Sequence, residues 1–373
     1  MIDIKRLIFK KLNNLINNKG KTMKKLLVST ALVSSVLTGV AFSQTTITGE
    51  MRIGYKTHYD GLDKIDSARG FGTEQQINIQ NKGKTNFGWD YASGFSIEVD
   101  GNSAASSFDE NVFIDFINPS SGTTLSISRD HIQRSDSARN ASVAFGYDAV
   151  DVVDGSIASA TDASYIIIQA SPGPNAGQSF GFAIIQDVAK LGKLSYSYIP
   201  NATEAGTSEG MGAASPSAYE VGFTGGLGVA GLNTYAFKGA KQKGDTGVKP
   251  KQTNFGVSYN TGPFTAGFEY TKHVGRNASL GVEADDEIKE KGYGLAYAVN
   301  KNLSLQIHHT RAKQDAGGLG DDTAKVTSIQ AGYNLGPVAL IVGAGKYENI
   351  LGGYDAADKE GGKTIFTRLL TAF

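Results

Sequence analysis

The sequence predicts an all-β chain folded as an antiparallel transmembrane β-barrel of about sixteen strands, an even number as single-chain barrels require. Three observations predict it. Short runs alternate apolar and polar residues with a period of two, the strand signature, because successive side chains point to opposite faces. Tight turns and long polar segments follow each other in regular alternation, as in a meander of hairpins with all its short turns at one end. After residue 43 no stretch is apolar for the ~20 residues that a spanning helix needs. A membrane chain of this kind must close into a barrel, because only helices and closed barrels satisfy their backbone in lipid.

The clearest stretch runs from Lys251 to Tyr347. Phe255, Val257 and Tyr259 alternate with Asn254, Gly256 and Ser258, and Thr261-Gly262-Pro263 turns the chain. Phe264, Ala266, Phe268 and Tyr270 then alternate with Thr265, Gly267, Glu269 and Thr271. Past a polar segment, Tyr293 to Val299, the Asn300-Lys301-Asn302 turn and Leu303, Leu305 and Ile307 repeat the pattern. Ile329 to Leu335, a Gly336-Pro337 turn and Val338 to Tyr347 repeat it again. A soluble barrel would turn the aromatic rows inward; a membrane barrel turns them to lipid and the small polar rows to a wet lumen.

Upstream, Met23 begins a signal peptide: Lys24-Lys25, an apolar core from Leu26 to Val40, and Ala41-Phe42-Ser43 before a cut that leaves Gln44 first. Residues 1–22 read as an extension from a start placed too early, so the domains are 1–22, 23–43 and a barrel over 44–373. The whole chain balances 36 Lys and Arg against 36 Asp and Glu. Eight of those bases and one of those acids precede Gln44, so the remainder is near −7. That argues against nucleic acid, which needs a basic surface. With Cys 0, disulfides and Cys-based metal or redox chemistry are excluded.

The first strand is Thr45 to His58, with Ile47, Gly49, Met51, Ile53 and Tyr55 on one side and Glu50, Arg52 and Lys56 on the other. A loop over 59–72 leads to a long second strand that ends in Phe87, Trp89 and Tyr91. Ala92-Ser93-Gly94 is expected to turn, before Phe95, Ile97 and Val99 alternate with Ser96 and Glu98. Val112, Ile114 and Phe116 follow, with Asp115 opposite, then a turn over 118–122 into Leu125 and Ile127. From Arg129 to at least Asp162 the alternation lapses, and a connection of that length is usually functional or disordered. The run Tyr165 to Gln169 suits either wall or loop; Phe180, Phe182 and Ile184 resume the wall. Leu194 to Tyr198, Tyr219 to Phe223 with Glu220 opposite, and Leu227 to Lys238 with a register slip near Gly231 come next. The chain closes on Ile365, Leu369 and Phe373.

Taken together, the signal over 23–43, the first strand, a hairpin from Phe87 to Val99, the long third loop and the terminal Phe373 resemble a general porin of Gram-negative bacteria, closest in style to the alphaproteobacterial type. The resemblance implies a homotrimer in the cell outer membrane, among its lipids. It also implies a third loop folded into the lumen, where 129–162 stands in order and length. Barrel-assembly machinery would read Phe373, with Leu369 and Ile365 in place and Thr371 and Thr367 departing from the pattern.

On that reading a sixteen-stranded barrel holds an aqueous channel. Asp136, Asp148, Asp151 and Asp154 are the expected loop-side acids of its constriction. Arg52 and Lys56 are the wall-side bases, and Glu98 and Asp115 add negative charge. Fixed carboxylates of this kind favour cations, so the expected pore is weakly cation-selective and passes small hydrophilic solutes. No cofactor is implied. The loop aspartates are Ca²⁺-type ligands, although Asp148, Asp151 and Asp154 match no known calcium-loop spacing. An enzyme would need a nucleophile beside an oriented base. No such motif occurs among His58, His131, His273, His308 and His309 and their neighbours. A substrate-specific channel and a surface adhesin are the alternatives.

Overall fold

In the computed structural model the alternating runs become sixteen antiparallel strands closed into one barrel. Residues 44–60, 69–100, 106–129, 180–200, 217–241, 251–275, 287–315, 321–349 and 361–373 are described. In chain order the strands are β1 (Gln44–Asp60), β2 (Arg69–Lys84), β3 (Asp90–Asp100), β4 (Ser106–Asn118), β5 (Thr123–Ser128) and β6 (Gly181–Val188). Then come β7 (Gly192–Ile199), β8 (Ala218–Gly225), β9 (Leu232–Lys241), β10 (Lys251–Thr261), β11 (Phe264–Val274) and β12 (Glu287–Ala298). The last four are β13 (Leu303–Asp315), β14 (Asp321–Asn334), β15 (Val338–Glu348) and β16 (Gly361–Ala372). Each strand pairs with its neighbours in sequence, and β1 pairs with β16 to close the ring. At that seam Phe373 N–H donates to Gly49 O and Gly49 N–H to Phe373 O, both at 2.9 Å. The Phe373 ring lies over Gly49, where a Cβ would stand 2.4 Å from it.

The even-numbered strands join the next by short turns, and most odd-numbered strands by longer connections, although those after β3 and β13 are as short as the turns. The third of the odd-strand connections, between β5 and β6, is the longest. The signal segment, residues 1–22, the run Tyr165 to Gln169 and the loop acids Asp136, Asp148, Asp151 and Asp154 lie outside the described residues.

Burial assigns the two faces. In β10, Gln252 and Asn254 are 2% and 1% exposed, whereas Phe255, Val257 and Tyr259 are 45%, 39% and 46% exposed. The same inversion runs through β12 to β16, with Tyr293, Leu295, Ile307, Ile329, Ile365 and Leu369 all outward. Cross-strand rings pack on this outer face: Phe264 on Tyr297 at 4.7 Å, Phe255 on Tyr270 at 5.3 Å and Phe268 on Tyr293 at 5.3 Å. Such pairs add to sheet stabilisation on the outward face.

Several inward rings lie flat on glycines of the next strand. Phe237 occupies the space a side chain would need at Gly222, and Tyr235 does so at Gly256. Glycine here buys lumen width: the ring folds against the wall instead of standing across the passage.

Three expected boundaries are corrected. Ala92-Ser93-Gly94 lies inside β3, and the turn is at 85–89, where Gly88 has φ +86°. There Thr85 N–H donates to Trp89 O at 2.7 Å and Thr85 Oγ1 accepts from Trp89 N–H at 3.0 Å. The hairpin expected over Phe87 to Val99 is therefore β2–β3, turning five residues or so earlier than its Ala-Ser-Gly sequence suggests, within the two-to-five-residue loops that hairpins favour. The expected strand from Leu227 is a turn through Gly228 and Gly231, both at φ +78°, and β9 starts at Leu232. The first long loop is also shorter than 59–72, because β1 reaches Asp60 and β2 starts at Arg69.

Candidate functional site along the inner wall

The inward rows of β8 to β16 mix polar and charged groups with small and aromatic ones. Glu220 of β8, Glu269 of β11, Glu290 of β12, His308 of β13, Gln330 of β14 and Arg368 of β16 are all buried against the inner wall. Glycine shapes this surface. A Cβ at Gly292 would lie 2.4 Å from Glu269 Oε1, so the Glu269 side chain extends across Gly292 on the neighbouring strand. It brings Oε1 to 4.0 Å from His308 Nε2, two strands away. His309, the next residue, faces out and its Nδ1 lies 2.7 Å from Thr327 Oγ1, as strand parity requires.

Further round the ring, Arg52 of β1 is forked between Glu50 on its own strand and Glu74 on β2. The trio carries more acid than base, so Arg52 adds no uncompensated positive charge to the lumen. Lys56 stands four residues along the same inward row. Arg368 faces Gly54 across the seam, between the levels of Arg52 and Lys56. Glu98 faces inward on β3, beyond Ser96, whose hydroxyl donates to Asn78 Oδ1 at 2.6 Å and accepts from Asn111 Nδ2 at 3.1 Å. Asp115 faces inward on β4 opposite Ser126 of β5. The structure thus places Arg52, Lys56, Glu98 and Asp115 on the inner wall over β1 to β4, and brings the first two beside Arg368. Glu220, Glu269, Glu290, His308 and Arg368 complete the ring; strand parity marks all five as inward, but only closure shows that they share it.

Several of these inner groups are unmatched by protein. Gln252 Oε1 and Nε2, Asn254 Oδ1 and Nδ2, Thr310 Oγ1 and Asp115 Oδ1 are buried and find no hydrogen-bond partner among the described residues. In a dry interior each such atom would cost about 1–3 kcal/mol. Water at the wall would satisfy such atoms.

A closed ring of sixteen strands, apolar outside and polar within, is a transmembrane barrel enclosing a wet passage. The chain belongs to the Gram-negative porin family, whose model matches residues 29–350. It is an outer-membrane porin, a channel protein. Among solved structures it is similar to the anion-selective porin from Comamonas acidovorans, at 13% identity and TM-score 0.60 over 89% of this chain and 100% of that one. Salmonella typhi OmpF, solved with daunomycin, aligns at 10% identity and TM-score 0.62, over 88% and 97%. The trimer form of OmpT from Vibrio cholerae aligns at 12% identity and TM-score 0.56, over 88% and 99%. These likenesses concern the fold. No functionally curated protein matches the sequence.

Proposed function

We propose that this porin is a weakly cation-selective diffusion channel for small hydrophilic solutes. The observation that carries the reading is the set of inward carboxylates Glu220, Glu269 and Glu290 on β8, β11 and β12. Around the ring of sixteen strands, β8 lies halfway from β16, where Arg368 stands with Lys56 of β1 beside it. The lumen then has an acidic side and a smaller basic side, and a permeating ion crosses a transverse field whose net sign is negative. An anion-selective neighbour on the same fold fits this view: selectivity resides in the wall charges, not in the barrel.

The third connection is proposed to enter the lumen and add Asp136, Asp148, Asp151 and Asp154 to the constriction. Homotrimeric assembly is proposed by analogy with the porin that forms a trimer. Phe373, outward and 70% exposed, suits recognition by the assembly machinery before the seam closes. Cleavage after Ser43 would show as Gln44 at the amino terminus of the isolated protein.

Reversal potentials in planar bilayers test the selectivity. Under a salt gradient the wild type is expected to prefer cations. The triple variant Glu220→Gln, Glu269→Gln, Glu290→Gln is expected to shift toward zero or to anion preference with little change in open-channel conductance. Anion preference in the wild type would refute the reading. Graded sugars in a liposome-swelling assay separate a general pore from a specific one.

A further inference from the structure

On the inner wall, β9 to β12 bring four different side chains into one cross-strand row. Phe237 stands opposite Asn254, Asn254 opposite Thr271, and Thr271 opposite Glu290. The row spans three strand spacings, about 14 Å. One step toward the long connections, Gln252 follows Asn254 inward on β10, and Gly239 separates it from Glu220 of β8. These six side chains are all 3% exposed or less. The Phe237 ring is turned onto Gly222 of β8, away from Asn254. Two members of the group lack what burial demands. Both ends of the Gln252 amide and both ends of the Asn254 amide find no hydrogen-bond partner among the described residues. A side-chain amide carries an acceptor oxygen and two N–H donors, so the pair presents both kinds of group side by side.

We propose that Gln252 and Asn254, with Thr271, Glu290 and the Phe237 ring around them, form a subsite for a neutral polyhydroxylated solute, a sugar or sugar alcohol, on its way through the lumen. The chemistry of the unmatched atoms selects the ligand. A cation would satisfy the two carbonyl oxygens and leave the N–H groups unmet. An anion would do the reverse, and Glu290 and Glu220 would repel it. A hydroxyl group donates and accepts at once, as water does. Solute hydroxyls can therefore take the place of water at these amides and reproduce its hydrogen bonds. Glu290 adds carboxylate acceptors at one end of the row, and Phe237 adds an apolar ring at the other for the C–H surface of the solute. A few precisely placed polar groups beside an aromatic one are the usual make-up of a small-molecule site. The inference rests on the reading of the lumen as a diffusion path, and names one class of solute that lingers in it.

The test records current through the full purified porin in planar bilayers against rising sucrose, with polyethylene glycol of matched hydrodynamic size as the volume control. Sucrose is expected to reduce the wild-type current saturably, in the millimolar range that a few neutral hydrogen bonds allow. The glycol carries ether acceptors and few donors, so it is expected to reduce the current only in proportion to its concentration. Gln252→Met with Asn254→Leu removes the amides at similar volume. It is expected to raise the half-saturating sucrose concentration about thirtyfold, the worth of two neutral hydrogen-bonding groups. Asn254→Leu alone is expected to raise it about fivefold and carries the same prediction should the double variant fail to fold. Because unmatched amides add nothing to the wall, both variants should resist urea at least as well as wild type. Sucrose and glycol acting alike on the wild type, an unchanged half-saturation in the variants, or a loss of urea resistance in both would each overturn the subsite and leave the channel reading standing. A wild-type protein that carries no current before sugar is added would instead remove the channel reading, and the subsite with it.

Discussion

Replacing Ile307 by arginine is expected to cost the barrel about 2–4 kcal/mol, the penalty for a cation on the lipid face near the bilayer midplane. Ile307 lies in an outward cross-strand row with Leu295 and Ile329, which are 46% and 62% exposed while Ile307 is 43% exposed. In water a contiguous apolar surface of this kind would be an aggregation liability; in hydrocarbon it is solvated. Gln306, one residue away, points inward and is the control. Gln306→Glu adds a charge of similar shape to the wet side and is expected to change stability by less than about 1 kcal/mol, as polar-face substitutions do. Urea unfolding of the barrel refolded into lipid vesicles measures both. Equal losses at 306 and 307, or the larger loss at 306, would mean that the two faces are assigned the wrong way round.

Gly231→Val is expected to cost about 3 kcal/mol, from two independent sources. Gly231 holds φ at +78°, a conformation that a β-branched residue takes only under strain. A Cβ there would also stand 2.2 Å from Asn260 O, a backbone atom that cannot swing away. The Asn260 N–H donates to Gly231 O at 2.8 Å, tying the β8–β9 turn to the end of β10, and this bond would have to open. Gly262→Asn separates the two terms. Gly262 has φ +58° but open space around its Cβ position, and Asn tolerates that conformation. It is expected to cost well under 1 kcal/mol, in line with a surface turn. A Gly231→Val barrel as stable as wild type, by the same urea measurement, would show that the turn yields freely.

Most of the wall was legible because its signal is local. A period of two needs no knowledge of partners, and Phe255 to Tyr270 or Tyr293 to Ile307 carry it without interruption. Errors arose where glycine served two different purposes. Gly94 looks like the end of a turn after Ala92-Ser93, but it is a mid-strand gap: a Cβ there would stand 2.6 Å from Ile79 O and 2.9 Å from the Phe113 ring. Gly88 and Gly231 are turn glycines, and only their backbone angles mark them. Neighbouring Val229 supplied a false strand beat beside Gly231.

The site was legible by face but not by company. Parity places Arg52 inward, yet its pairing with Glu74 depends on the β1–β2 register, which no local pattern gives. Glu269 and His308 are thirty-nine residues apart in sequence and meet across Gly292 only because the barrel sets β11, β12 and β13 side by side. Outward lysine rows on β12 and β13 have the same origin. Each lysine alone reads as a solvated strand end; Lys289 beside Lys313 and Lys291 beside Arg311 is a statement about register.

The central claim is that alternate residues of one strand meet lipid and water. Because the chain has no cysteine, a thiol can be placed at either face without competition. Ser258→Cys and Val257→Cys on β10 are adjacent, the first inward and the second 39% exposed to the outside. A charged, water-soluble thiol reagent added during single-channel recording is expected to step the conductance at 258 and to leave it unchanged at 257. A step at 257 with none at 258, or a barrel that passes no current at all, would contradict the account.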